Sequence, residues 1–269
     1  SYTLQIYFDF SGYCDMALGM AKMFNVELPV NFDSPYKAKT VSEFWGRWHK
    51  TLTRFFTHYV YIPMGGNRKG KLRTYGNTMI VFFLSGIWHG ANWTFILWGV
   101  IHGIFMTMEK ILKDIFEKTG MTVVIEKAAS NKLWSVLGKV AGSIYVFIFV
   151  NLTWVLFRAP SISDAKIFMN RLAVRGGGIA FNINEKVADL IEIRLLYRLG
   201  LGGVFEQYPY VPCIFLMVIL WIAVWFMKNT QEKMQSDKYG VMRGLITIFL
   251  MVWSVISLSD VSEFLYFNF

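Results

Sequence analysis

The chain has 269 residues, of which 55% are hydrophobic, 17% aromatic and only 17% charged, with a formal net charge of +9. Soluble domains carry about 25% charged residues, and several runs here approach the roughly 20 apolar residues that cross a hydrocarbon core, so an ordinary soluble domain is excluded. Short alternating segments of the kind that build a spanning barrel are missing too, and the prediction is an all-α, polytopic transmembrane helical bundle with interfacial amphipathic helices.

The chain opens at Ser1-Tyr2-Thr3-Leu4, already inside an apolar segment and without a methionine, which reads as a start within a longer protein. No signal peptide is visible. Residues 1–24 predict a membrane helix, or two short segments broken near Gly12, with Asp9 and Asp15 as costly charges at that depth. Pro29, Asn31, Asp33, Ser34 and Pro35 make residues 25–41 a loop. Ser42-Glu43 then signals a helix start. Trp45, Trp48, Leu52, Phe55, Phe56 and Tyr59 recur at three- and four-residue spacing, with Arg47, Lys50 and Arg54 opposite. That pattern predicts an interfacial amphipathic helix. His49 falls on its apolar side, and His58, nine residues on, falls about 180° around a continuous helix.

Residues 62–76 form a basic turn around Gly65-Gly66-Asn67-Arg68-Lys69-Gly70. It lacks P-loop spacing, so a plain cytoplasmic turn stands beside phosphate or coenzyme A contact as its reading. Between Lys37 and Arg73 there are nine Lys/Arg and one acid, Glu43, which places this region on the cytoplasmic side. The basic residues sit beside apolar segments, a pattern that fits anionic lipid headgroups rather than nucleic acid.

Residues 77–108 are apolar, with Gly86, Gly90, Gly99 and Gly103. Their length exceeds one span, which predicts two segments broken around His89–Asn92. Backbone irregularity at membrane depth is tolerated only where protein or a cavity covers it, so His89 is expected at a break facing a cavity. Residues 109–133 read as a mixed-charge loop. Further spans are predicted at about 134–157, 210–227 and 241–259, with a polar region between the first two and a short helix near Glu185–Arg198. Cys14 and Cys213 lie in apolar surroundings and read as small buried residues. No metal site is expected, since four scattered histidines lack paired acidic ligands.

Ser85-Gly86-Ile87-Trp88-His89-Gly90-Ala91-Asn92-Trp93 is the most informative stretch, an ionisable group inside an apolar run. Such residues serve a function or a paired structural need. Histidine suits general-base work because its free pKa lies near 6.5. A packed histidine bonding a carbonyl across helices is the plainer reading. Asn92, three residues after His89, shares its face if the helix continues, and would then bond the imidazole, a substrate or a neighbouring helix. Trp45, Trp48, Trp88 and Trp93 read first as interface anchors and packing. His58 and His102 receive no role.

In order along the chain come Asp9-Phe10-Ser11-Gly12-Tyr13-Cys14-Asp15-Met16-Ala17, Asn31-Phe32, Pro35-Tyr36 and Glu43-Phe44-Trp45-Gly46-Arg47-Trp48-His49. Tyr61-Ile62-Pro63-Met64-Gly65-Gly66-Asn67-Arg68-Lys69-Gly70, Ser85-Gly86-Ile87-Trp88-His89-Gly90 and the terminal Phe264-Leu265-Tyr266-Phe267-Asn268-Phe269 follow. This series resembles the membrane-bound O-acyltransferases, and among them the bacterial branch of the alginate O-acetyltransferase membrane subunit. Teichoic acid D-alanyl transferases are more distant. The motifs lie mainly in residues 9–103. Cys14 stands where the family often has Ser, and Gly46 where it often has Arg.

The resemblance implies that residues 1–269 form the C-terminal portion of one membrane domain in a multi-pass protein of the bacterial inner membrane. It implies acyl transfer, acetyl above all, from a cytoplasmic thioester (acetyl-CoA or an acyl-carrier thioester) with no resident cofactor. The acceptor would be a hydroxyl of a cell-envelope or secreted polysaccharide. Expected partners are membrane lipid, a periplasmic or surface acyltransferase and the N-terminal half of the same protein, and no nucleic acid. It marks His89 as the catalytic base and His49 as the second catalytic histidine; Trp88 and Asn92, which lie beside His89 in sequence, are the candidate substrate contacts. The alternatives are D-alanyl transfer to teichoic acid, a proton-relay transporter and a scaffold that recruits an acyltransferase.

Overall fold

A computed structural model describes residues 2–174, 194–195, 197–201, 203, 207–208, 211–235 and 240–256. The described residues contain helices and no strand. They fall into two compact units, residues 2–175 and 176–268.

In the first unit, α1 spans Tyr2–Met23 as one helix, so Gly12 does not break it. A short 3₁₀ turn, Pro35–Lys37, leads to α2, Val41–Arg47. Helix α3, Lys50–Phe56, runs into a π turn at Thr57–Tyr61. After the basic turn come α4, Lys71–His89, and α5, Trp93–Thr119. Then follow α6, Met121–Ala129, α7, Lys132–Arg158, and α8, Ile162–Ala173. Helices α5 and α7 are long and apolar enough to cross a membrane.

Three sequence expectations change here. The amphipathic segment after Ser42 is two helices that break at His49. Residues 109–133 are helical for most of their length, because α5 outlasts its apolar stretch and α6 follows after Gly120. Its charges find partners instead of forming a loop: Asp114 on α5 pairs with Lys71 at 2.6 Å and accepts from the Tyr75 hydroxyl at 2.5 Å. The polar region after 158 opens with α8, whose N-cap Ser161 accepts from the Asp164 N–H at 3.1 Å. The predicted break at 89–92, by contrast, is where α4 ends and α5 begins.

Glycine sets how closely α4 and α5 approach. A Cβ on Gly86 would lie 2.6 Å from the Phe95 carbonyl oxygen, and one on Gly99 would strike the Phe82 carbonyl oxygen and come within 3.1 Å of Gly86 N. Small residues at such spacing let helix backbones touch. Helix α2 is anchored on α5 by Glu109, whose carboxylate accepts from Val41 N at 2.6 Å, Ser42 N at 2.9 Å and Ser42 Oγ at 2.7 Å. A carboxylate at a helix N-terminus satisfies orphan N–H groups and meets the positive end of the dipole.

The core is aromatic. Trp48 stacks on Phe44 at 5.6 Å, meets Phe32 edge-on at 4.9 Å and contacts Trp154 of α7 at 5.3 Å. Trp154 in turn stacks with Trp98 of α5 at 6.2 Å. Each such pair adds about 0.5–1.5 kcal/mol beyond its burial. Trp45 and Trp48 are buried in this core rather than anchored at an interface.

In the second unit, the described elements are a π turn at Tyr197–Leu201, α9 at Val211–Phe226, α10 at Thr230–Gln235 and α11 at Val241–Ile256. Apolar helices α9 and α11, 16 residues each, lie where spans are predicted at 210–227 and 241–259; as described they are shorter than the two helices long enough to cross a membrane. Most of the short helix expected near Glu185–Arg198, and the side chain of Cys213, lie outside the described residues.

Candidate active site

Both histidines singled out from sequence stand at helix interruptions. His49 joins α2 to α3 in the left-handed region, with φ 45° and ψ 52°. A non-glycine residue there carries a cost of about 1–2 kcal/mol, and such outliers collect at functional sites. The surroundings hold it in place. Asp33 N donates to Arg47 O at 2.9 Å, and Lys50 N donates to Asn31 O at 3.0 Å. The loop at 31–33 therefore straps the break from both sides.

The side chain of Asn31 completes the hold. Thr51 N–H can only donate, and it lies 3.2 Å from Asn31 Oδ1, so the amide oxygen faces His49. Thr51 Oγ1 also donates to that oxygen, at 2.9 Å. His49 Nδ1 lies 3.1 Å from the same Oδ1 and must carry the proton. Its Nε2 is thereby left with the lone pair. Asn31 Nδ2 donates to the Cys14 sulfur at 3.3 Å. Cys14 is thus half-buried and acts as an acceptor, not merely as an apolar filler. Burial pushes the His49 pKa down to about 4, so the ring is neutral at physiological pH.

His89 is the last residue of α4, before Gly90, and is buried. Its ring is boxed by aromatics: Trp88 at 4.9 Å, Trp98 at 5.2 Å and Phe157 of α7 at 5.1 Å. Phe95, at 6.4 Å, covers the side toward α5. Trp88 also faces His49, at 6.5 Å. One indole therefore lies against both imidazoles, which α3 and α4 bring from positions forty residues apart. Trp88 is itself half-exposed, 53%, so the pair lies behind a side chain open to its surroundings.

Asn92 is placed differently. Because α4 ends at His89, the shared helix face does not exist. Asn92 is the N-cap of α5: its Oδ1 accepts from Thr94 N at 3.2 Å, and its Nδ2 donates to Pro160 O at 2.7 Å. It ties the α4–α5 break to the end of α7, and so fixes the frame of His89 rather than its ring.

His102, given no role from sequence, is fully buried and engaged at both nitrogens. Trp45 Nε1, a donor only, reaches Nδ1 at 3.1 Å. Nε2 must then carry the proton, and it donates to Thr153 Oγ1 at 3.1 Å, which donates to Val150 O at 3.0 Å. This chain pins α2, α5 and α7 together beneath the site. Asn31, Thr51, Glu109 and His102 were all missed from sequence. Only Asn31 carried a signal, as part of the motif Asn31-Phe32. His58 is exposed on the π turn.

Two helices long and apolar enough to cross a membrane, a buried histidine held by an asparagine and a second buried histidine at a helix break define a helical imidazole site. Residues 1–151 match the membrane-bound O-acyltransferase family, and the chain belongs to it. Over its whole length it is 36% identical to a peptidoglycan O-acetyltransferase of Helicobacter pylori and 32% identical to a probable alginate O-acetylase, AlgI, of Pseudomonas putida. It covers 48% and 52% of those proteins, so the chain spans about half the length of the curated relatives it matches. A teichoic acid D-alanyltransferase of Streptococcus thermophilus is 36% identical over 38% of this chain and 26% of its own length.

Proposed function

We propose that this chain carries the histidine-bearing portion of a multi-pass inner-membrane O-acyltransferase. It moves an acyl group, acetyl in the first instance, from a cytoplasmic thioester toward a hydroxyl of a cell-envelope or secreted polysaccharide. The observation that carries the reading is the pairing of His49 and His89 against Trp88, each at a helix interruption. The two relatives that match the whole chain are named as a peptidoglycan O-acetyltransferase and a probable alginate O-acetylase, which favours acetyl over D-alanyl; the D-alanyltransferase likeness covers a smaller share of the chain.

A hydroxyl is a poor nucleophile at neutral pH. In this reading His89 takes the hydroxyl proton as the oxygen attacks the thioester carbonyl. The C–O bond forms, the C–S bond breaks, and the thiolate leaves to be protonated. General-base assistance of this kind contributes about 10²–10⁴-fold. His49, with Nδ1–H held by Asn31, presents Nε2 to orient the acceptor or relay the proton. Trp88 forms the wall that a substrate meets between the two rings, and Asn92 positions the loop after His89. The basic segment from Lys37 to Arg73 faces the cytoplasm, and a periplasmic or surface acyltransferase completes delivery to the polysaccharide.

The test is alkali-releasable acetate on the extracellular polysaccharide of cells carrying the complete gene, with wild type and His89→Ala matched for expression and insertion. Loss of acetate is expected. Unchanged acetate removes His89 from the reaction.

A further inference from the structure

Helix α3 and the π turn after it carry Lys50, Arg54 and His58 at successive four-residue intervals. That spacing keeps them along one side of the segment, and the wider π turn from Thr57 slows the drift that an α-helix would impose on His58. All three line one groove of about 390 Å³, floored by Trp45, Gly46 and Ile62. Among the described residues no carboxylate forms an ion pair with Lys50 or Arg54. The neighbouring Arg47, by contrast, is taken by Glu43 at 2.8 Å.

On the other flank of α3 lies an apolar pocket of about 200 Å³, walled by Leu52, Phe56, Phe82 and Met106 and reaching Ser85, one helical turn before His89. Trp45, Thr53 and Thr57 line both spaces. A cationic groove and an apolar pocket thus share a wall. The pocket contains one cation, Lys110, already bonded to Thr78 Oγ1 at 2.7 Å and lying over the Tyr61 ring.

We propose that Lys50, Arg54 and His58 form a phosphate-binding site, and that the adjoining apolar pocket takes the neutral arm attached to that phosphate. Arginine offers a planar fork of donors to phosphate oxygens, and lysine adds a compact charge. Gly46, whose missing Cβ leaves open space, lets the phosphate approach the α2 backbone. Two sources share this chemistry: the phosphate of a thioester donor, which rests on the function proposed above, and the headgroup of an anionic lipid.

The full-length protein, in nanodiscs of phosphatidylcholine, is titrated with coenzyme A by calorimetry, comparing wild type, Lys50→Gln/Arg54→Gln, His58→Gln and the control Lys166→Gln. Retention of phosphatidylglycerol after purification is measured for the same proteins by mass spectrometry. Loss of one charged hydrogen-bonding partner weakens binding by about tenfold or more. Coenzyme A affinity falling by that factor in the double variant, less in His58→Gln and not in Lys166→Gln, places the donor's phosphate here. Unchanged coenzyme A affinity with lost phosphatidylglycerol places a lipid headgroup here. If neither probe responds in variants that elute and melt like wild type, the phosphate site is overturned. His89-dependent ester formation is assayed in parallel. Its persistence in that case leaves the acyltransferase reading standing, and its absence in the wild type removes that reading without touching the binding result.

Discussion

The two helix interruptions solve the same problem in opposite ways. At His49 the backbone is forced into the left-handed region and the ring is aimed by polar atoms: Asn31 Oδ1, the Thr51 pair and the loop strap at 31–33. At His89 the helix simply ends before Gly90, and the ring is boxed by Trp88, Trp98 and Phe157. One histidine is fixed in tautomer and orientation, the other in position. A residue that must present one nitrogen gains from a fixed hydrogen bond.

The sharpest way to break the comparison is to remove each ring. His89→Ala should lower ester formation by about 10²–10⁴-fold, measured as alkali-releasable acetate. His49→Ala should cost less, about tenfold to a hundredfold, because it removes an orienting group. Equal losses would mean that the two rings act as one unit.

Next in size is the frame that positions His89. Gly99→Val places branched carbon against the Phe82 carbonyl and Gly86. Overpacking of this kind costs about 1–3 kcal/mol. The melting temperature in detergent should fall, and activity with it. Gly12→Val, where nothing lies within 4 Å of the added carbon, should change neither.

The polar hold on His49 gives the third test. Asn31→Leu removes the acceptor that sets the tautomer, so activity should fall about tenfold while the fold persists; Asn31→Asp keeps an acceptor and should retain more. The pH response follows from burial. The His49 pKa is lowered to about 4 in the folded protein, against about 6.5 when unfolded. The unfolded chain then binds the extra proton between those values, so this contribution to stability is whole above about 6.5 and is lost as pH falls toward 4. In His49→Gln, thermal stability should decline less over that window than in wild type.

Much of this architecture was legible because it rests on local signals. The break at 89–92 followed from an apolar run too long for one span, and the apolar helices near 134–157 and 210–227 followed from hydropathy. The break at His49 was hidden because Trp45, Trp48, Leu52 and Phe56 keep helical spacing on both sides of it. Those side chains enter one core from two short helices, and periodicity alone cannot tell that from one long helix. Glu109 was read as part of a charged loop because its partners, Val41 and Ser42, are nearly seventy positions away. His102 received no role from sequence. Trp45 and Thr153, its partners, come from α2 and α7, and no spacing rule links them.

The smallest expected effect isolates the strain at His49 from its chemistry. Replacing His49 by Ala or by Gly removes the same imidazole and the same bond to Asn31. The two variants differ in one respect, that glycine occupies φ 45° freely and alanine does not. His49→Gly should therefore be more stable than His49→Ala by about 1 kcal/mol, a few degrees in melting temperature, while both are equally impaired in ester formation. A left-handed residue held only by its own preference would relax in the alanine variant, and the two would melt together. A difference in stability without a difference in activity would show that the strap from Asn31 to Asp33, not the histidine, enforces the bend. The backbone at this interruption would then be a fixed feature of the fold into which evolution has placed a ring, whereas at His89 the helix end and the ring are set by the same glycine-lined crossing.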